Sequence, residues 1–328
     1  MALTEDEAAV YDRQIRLWGV EAQKRLRDAK MLLVGLDGLG AEVCKNVVLT
    51  GIKSLTLLDD QCSCEDDRMV QFLIPPDCIG QNRAIASLQR AKELNPLVEI
   101  SACTDNVDTL PDSYFQQFDL VCMCGYTKNT MFRIGSICHQ RNIKLYCGNV
   151  YGFCGFFFAD LVHHSFTEEI NQPVKKTEAN PAVPSKTVKT EVIVRQNDVD
   201  YVEIKEALQV DYKLFRPTRL RRTSKVFFLM KVIDEFYQRN KSSSTDSLAD
   251  VDNLKHVRDE LFGDDSEKLL PLSYLQNCQG KLNPICAIVG GILAQDVIKA
   301  LSAREAPVNN FFFYDGNKSE GVVDKLCL

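Results

Sequence analysis

The 328 residues are 45% hydrophobic and carry a formal net charge of −6. That is enough apolar material for one large domain plus something smaller, and without a strong basic block it excludes an electrostatic nucleic-acid footprint. No uninterrupted apolar run approaches the roughly 18 residues of a membrane span, and the start, MALTEDEAAVYDRQ, has neither a basic n-region nor an apolar h-region, so a soluble, intracellular chain is expected.

Taken in chain order, residues 11–19 (YDRQIRLWG) read as a charged amphipathic helix. Residues 31–34 form a short apolar run of the kind buried in a parallel sheet, and Gly35, Gly38 and Gly40 follow where the chain must turn tightly into a helix. Their spacing is G-x-x-G-x-G, not G-x-G-x-x-G. Asp59 ends the next strand about twenty residues on, the place of a ribose-binding carboxylate. Residues 31–60 therefore read as the opening βαβ unit of a nucleotide fold. Past an acidic loop (61–67) and a turn at Pro75 and Pro76, residues 80–94 are rich in helix formers and stop at Asn95-Pro96. Strands at 98–102, 119–123 and 143–147 then alternate with a helix at 129–141. This alternation predicts an α/β fold: a Rossmann-like parallel sheet with helices on both faces.

After Phe166 the composition changes. Residues 171–190 hold Pro173, Pro181 and Pro184 without any apolar period and are expected to be a mobile loop. Helical patterns at 224–239 and 247–262 suggest a small helical insertion. A strongly apolar helix at 283–301 carries Gly290-Gly291. Each costs about 1 kcal/mol relative to alanine, which close backbone packing could offset. A strand at 310–314 returns the chain to its first domain. Among the 13 cysteines are two C-x-C pairs, Cys62/Cys64 and Cys122/Cys124, and no C-x-x-C, which does not suit tetrahedral zinc. Cys44, Cys122, Cys138, Cys147 and Cys286 are expected as reduced core thiols.

YDRQIRLWG at 11–19, VGLDGLGAE at 34–42, and the blocks 283–301 and 309–316 together resemble the adenylation subunits of ubiquitin-like activating enzymes, the ThiF/MoeB-like family. Within it the likeness is greatest to the smaller, cysteine-less kind of subunit that serves SUMO activation. It covers nearly the whole chain, and YDRQIRLWG is far more specific than the glycine loop. The expected division is an adenylation-like first part at 1–165, a mobile linker at 166–200, a small helical insertion at 201–278 and an adenylation-like return segment at 279–328.

In such enzymes the carboxylate at a small modifier's C-terminus attacks the α-phosphate of ATP, giving an acyl adenylate and pyrophosphate, and a cysteine thiol then captures the acyl group. The first step needs positioning and charge stabilisation. Active members use the glycine loop, a ribose aspartate, an Asn/Arg pair in an N-R-Q-F-like segment, a lysine, and an aspartate that binds Mg²⁺. Here Asp59 matches the ribose carboxylate and Gln71-Phe72 the end of the N-R-Q-F-like segment, but Met69 and Val70 stand where its asparagine and arginine would. Asp37 replaces the second glycine of G-x-G-G-x-G. A carboxylate about 4 Å from a phosphate charge would cost on the order of 4 kcal/mol at an effective dielectric near 20. Arg83 and Lys92 are the cations at hand to stand in, without the Asn/Arg geometry, and residues 122–126 lack the magnesium-binding aspartate.

The resemblance thus implies a degenerate pocket (Gly35, Asp37, Gly38, Gly40, Asp59, Met69, Val70) with no cofactor and no metal of its own, ATP and Mg²⁺ being bound in the partner subunit. Cys103-Thr104 is the only Cys-Thr pair, and it lacks the downstream proline of a thioester motif. By the N-terminal motif, Arg13 is the residue that crosses to the partner's ATP phosphates, with Arg16 in support, and Trp18 is expected to anchor that helix. The implied partners are the larger, catalytic-cysteine subunit of the SUMO-activating enzyme and SUMO itself, with neither nucleic acid nor membrane, and the implied location is the nucleus with some cytoplasmic presence. Two other readings stay open: a pure structural scaffold, and an autonomous adenylating homodimer for a ubiquitin-like or sulfur-carrier protein. Val188-Lys189-Thr190-Glu191 has the form of a SUMO acceptor site, while Lys175-Lys176 and Arg219 to Arg222 are too thin for a nuclear signal.

Overall fold

The computed structural model describes residues 4–173, 190–240 and 250–326. Among the described residues the strands are β1 (Lys30–Val34), β2 (Ser54–Leu58), β3 (Glu99–Cys103), β4 (Leu120–Cys124), β5 (Lys144–Tyr151), β6 (Cys154–Asp160), β7 (His163–Pro173), β8 (Thr190–Asp200), β9 (Phe311–Asp315) and β10 (Glu320–Asp324). Eight of them form one sheet in the order β10-β9-β6-β5-β4-β1-β2-β3. The expected parallel half is present: β3, β2, β1, β4 and β5 run parallel, with Met31 beside both Leu55 and Leu120. The other half differs from the all-parallel expectation, because β6, β9 and β10 join antiparallel. Only Gly152 and Phe153 separate β5 from β6, far short of the dozen or so residues a parallel crossover needs.

Helices of seven or more residues are α1 (Asp12–Trp18), α2 (Val20–Asp28), α3 (Gly38–Leu49), α4 (Arg83–Leu94), α5 (Lys128–Gln140), α6 (Lys225–Asn240), α7 (Val251–Phe262) and α8 (Asn283–Ser302). They cover both faces of the sheet, as the alternation predicts. In β1, Met31 and Leu33 point to one apolar core with Leu39 and Val47 of α3 and Val289 and Leu293 of α8. Leu32 and Val34 point to the other, with Ile134 of α5 and Phe227 and Phe228 of α6. A strand buried on both sides is why its sequence is a continuous apolar run and not an alternating one. The mean hydropathy of α8, 1.6, and its 20 residues would suit a membrane span, but Val289, Leu293, Ala294 and Val297 are fully buried against the first βαβ unit. Gly290 allows that approach, since a Cβ there would lie 2.7 Å from Glu42 Cβ.

One expectation is corrected. Segment 166–200, expected as a linker, begins and ends in a two-stranded antiparallel ribbon in which His163 faces Asp200 and Pro173 faces Thr190. Its start alternates, His164 and Phe166 buried and His163 and Ser165 exposed, a period of two that the prolines farther on obscured. Residues 174–189, with Lys175-Lys176, Pro181, Pro184 and Lys189, lie outside the described residues. The helices of the expected insertion, 201–278, pack onto the sheet. Phe227 of α6 packs edge-on to Phe313 of β9, so α6 covers the antiparallel half of the sheet.

Candidate functional site

The corner after β1 is built as a phosphate-binding turn is built, but it is filled by the chain itself. Gly35 has a φ of +93°, and the first turn of α3 follows at Gly38. Asp37 caps that helix, its Oδ1 accepting the Gly40 N–H at 3.0 Å. Its other carboxylate oxygen is ion-paired with the ammonium of Lys281, which lies just before α8. Burial raises the Asp37 pKa, yet the charge and hydrogen bond of Lys281, with the Gly40 N–H, outweigh it and hold the carboxyl below the usual range. The repulsive carboxylate expected from the sequence is therefore neutralised, and no phosphate is needed to satisfy the helix terminus.

The neighbouring positions close the corner further. Val70, buried, covers Gly38, where a Cβ would lie 2.9 Å from Val70 Cβ. Met69 is 78% exposed and turned to the surface. Asp59 is buried, and both its oxygens are engaged by backbone: Leu36 N–H at 2.7 Å and Gln61 N–H at 2.9 Å. Burial raises its pKa against those bonds. Gln71 donates to Leu36 O and Ser87 Oγ and accepts from Leu73, a purely internal role. The Tyr126 ring closes over Gly35, 3.1 Å from where a Cβ would stand. Of the two cations expected as substitutes, Arg83 stays beside the corner, its charge acting to lower the pKa of both Asp37 and Asp59, but its Nε donates to Asp67 at 2.9 Å, while Lys92 lines a groove with Lys30, Ser54 and Glu99 at the opposite end of the strands. These residues do not fit a nucleotide triphosphate.

Outside the pocket stands the N-terminal helix. Arg13 is exposed, and among the described residues it makes neither hydrogen bond nor ion pair. Arg16 is paired with Asp12 at 3.0 Å on the same helix. What holds α1 in place is Tyr11 more than Trp18. Tyr11 is 4% exposed, its hydroxyl accepts from Asn95 Nδ2 at 2.9 Å, and its ring fills the space that a side chain at Gly51 would occupy. Trp18 is half-buried and donates to Gln23 at 2.9 Å. Gly51, at φ +77°, was the one sequence signal for this anchor. Around α1 and the outer faces of α3, α4 and α8 lie Leu17, Leu49, Met69, Phe72, Ile85 and Ile288, all exposed. Gln14 ties α1 to Leu49 O at 3.0 Å, and Lys45 lies over the Phe72 ring.

The core cysteines offer no accessible nucleophile, whereas Cys62 and Cys64 are exposed. Cys44, Cys122, Cys138, Cys147 and Cys286 are buried as expected, and burial pushes the Cys44 thiol up to about 12. Cys103 ends β3 partly exposed and donates to Asp105 at 3.5 Å.

Comparison with known proteins matches the ThiF family over residues 11–327. Proteins named SUMO-activating enzyme subunit 1 are similar along nearly the full length. That of Xenopus tropicalis is 44% identical over 99% of this chain and 97% of its own, that of Danio rerio 45% over 98% and 95%, and that of Homo sapiens 41% over 99% and 96%. Among solved structures, E. coli MccB with succinimide superposes with a TM-score of 0.56 at 12% identity, over 97% of this chain and 71% of that one, a likeness of fold.

Proposed function

Because this chain belongs to the ThiF family, we propose that it is the non-thioester subunit of a heterodimeric SUMO-activating enzyme, supporting ATP-dependent adenylation of the SUMO C-terminus and its transfer to a cysteine of the larger subunit. The observation that carries this is the contrast between two places. The chain's own phosphate corner is occupied by Asp37, Lys281 and Val70, while Arg13 is exposed and, among the described residues, unpaired.

ATP and Mg²⁺ are held in the partner's pocket, where the reaction takes place. The attack on the α-phosphate builds negative charge on the departing pyrophosphate, and Arg13, reaching across, donates a planar fork of N–H groups to phosphate oxygens. An arginine supplied in trans contributes on the order of 10³-fold in rate in phosphoryl transfer. Leu17 on α1 and Leu49, Met69, Phe72 and Ile85, all exposed, supply apolar surface for the partner. The autonomous-homodimer alternative needs a working pocket in this chain and is disfavoured by the filled corner. The nuclear location, with some cytoplasmic presence, rests on the pathway alone.

Co-expression with the candidate large subunit, followed by an ATP-dependent thioester assay, tests this function. A SUMO thioester on the partner and none on this chain is the expected result. A thioester on this chain, or ATP-dependent adenylate formation by this chain alone, would overturn it.

A further inference from the structure

The ion pair at the phosphate corner joins two segments 244 residues apart. Lys281 is delivered there by the backbone: the Gly152 N–H, at the end of β5, donates to Gly280 O at 2.9 Å, and Gly152 and Lys281 form a parallel bridge. The Asp37 and Lys281 side chains are only 8% and 16% exposed. Gly125, at φ +80°, leaves the space in which they meet, since a Cβ there would collide with the Asp37 carboxylate and stand 3.0 Å from Lys281 Nζ. The helix N-terminus, an anion upon it and a cation beside that anion are the parts of a phosphate site, and here all three belong to one chain.

We propose that Asp37 and Lys281 are an internal substitute for a bound phosphate and its counter-charge, locking the return segment before α8 onto the first βαβ unit without any ligand. This rests on the proposal that the working nucleotide is held by another chain. An intramolecular carboxylate sits at high effective concentration, so a phosphate in solution cannot readily displace it. The fold gains the charge neutralisation that a nucleotide would otherwise supply.

The test uses the full chain with inorganic pyrophosphate as the probe. The melting temperature of the wild type should be unchanged by pyrophosphate. Asp37→Gly should lower it in buffer but regain about 2–4 °C on adding the probe, and Asp37→Gly/Lys281→Met should lose that response. A wild type that is itself stabilised by pyrophosphate, or a folded Asp37→Gly protein that shows no gain, would overturn the proposal. Should Asp37→Gly fail to fold, Asp37→Asn, Lys281→Met and their double variant decide. A lock requires the double to melt close to the weaker single, whereas additive losses would refute it. None of these readings uses enzymatic activity, so failure of the lock and failure of the thioester assay are told apart.

Discussion

Removing the Tyr11 ring should disable the subunit without unfolding it. The ring is 4% exposed and lies over Gly51, and its hydroxyl accepts a hydrogen bond from Asn95 Nδ2, which also donates to Val48 O at 2.9 Å. Tyr11→Phe loses one hydrogen bond, about 1 kcal/mol, and leaves Asn95 still donating to Val48. Tyr11→Ala opens a cavity, which costs about 3–5 kcal/mol for an aromatic core residue. The loss falls on the joint between the N-terminal helix and the body. What then holds α1 are the Gln14 and Trp18 hydrogen bonds, each worth about 1 kcal/mol, and the packing of Trp18 on the core. The amides of residues 12–18 should lose on the order of 10²-fold protection from hydrogen exchange in Tyr11→Ala, those of β1 and α8 should keep theirs, and adenylation by the assembled dimer should fall with the loss of a positioned Arg13. Gly51→Ala should act alike, by collision with the same ring and by the strained φ. Full activity in a Tyr11→Ala dimer whose 12–18 amides exchange freely would refute a positioning role for this anchor.

The adjacent glycines of α8 should respond oppositely in the isolated chain. Gly290→Ala meets Glu42 Cβ at 2.7 Å and should destabilise by about 1–3 kcal/mol, whereas Gly291→Ala meets nothing within 4 Å and should stabilise by up to about 1 kcal/mol; chemical denaturation of both variants checks the contrast. Asp296 carries a pH signature. Burial pushes its carboxyl up to about 6, against hydrogen bonds from Val308 N–H and Tyr146. A raised carboxyl contributes stability while protonated and loses it as pH rises through the folded value. Between about pH 4 and 6 the wild type should therefore lose up to roughly 3 kcal/mol relative to Asp296→Asn. Parallel stability curves for the two proteins would show that Asp296 does not titrate there. Asp37, held low by Lys281, should show the reverse: its contribution is present above the unfolded carboxylate value and disappears as pH falls through the lower folded one, so Asp37→Asn should flatten the acid limb.

What the sequence made legible was what local pattern encodes. The apolar run 31–34, the turn at Gly35 and the Gly290 close approach all follow from a few neighbouring residues. The antiparallel half of the sheet was not legible, because strand direction depends on the length of the β5–β6 turn and not on strand composition. The ribbon β7–β8 is obscured in the sequence by Pro173 at the end of β7 and by the prolines that follow it. Asp37 was recognised as a departure from the glycine pattern, but its partner Lys281 could not be, since no periodicity links residues so far apart in sequence. Trp18 is conspicuous in the sequence as an anchor and Tyr11 is not, because an anchor is defined by the hole it fills, and the hole is at Gly51.

The loan of Arg13 to a nucleotide held elsewhere is tested most directly by ATP–pyrophosphate exchange in the assembled dimer carrying Arg13→Ala, with Arg16→Ala as its control. Arg13→Ala should assemble normally and lose exchange by on the order of 10³-fold, while Arg16→Ala, which breaks only an exposed pair with Asp12, should stay near the wild-type rate. Exchange at the wild-type rate by an assembled Arg13→Ala dimer would contradict the loan and leave this chain a scaffold.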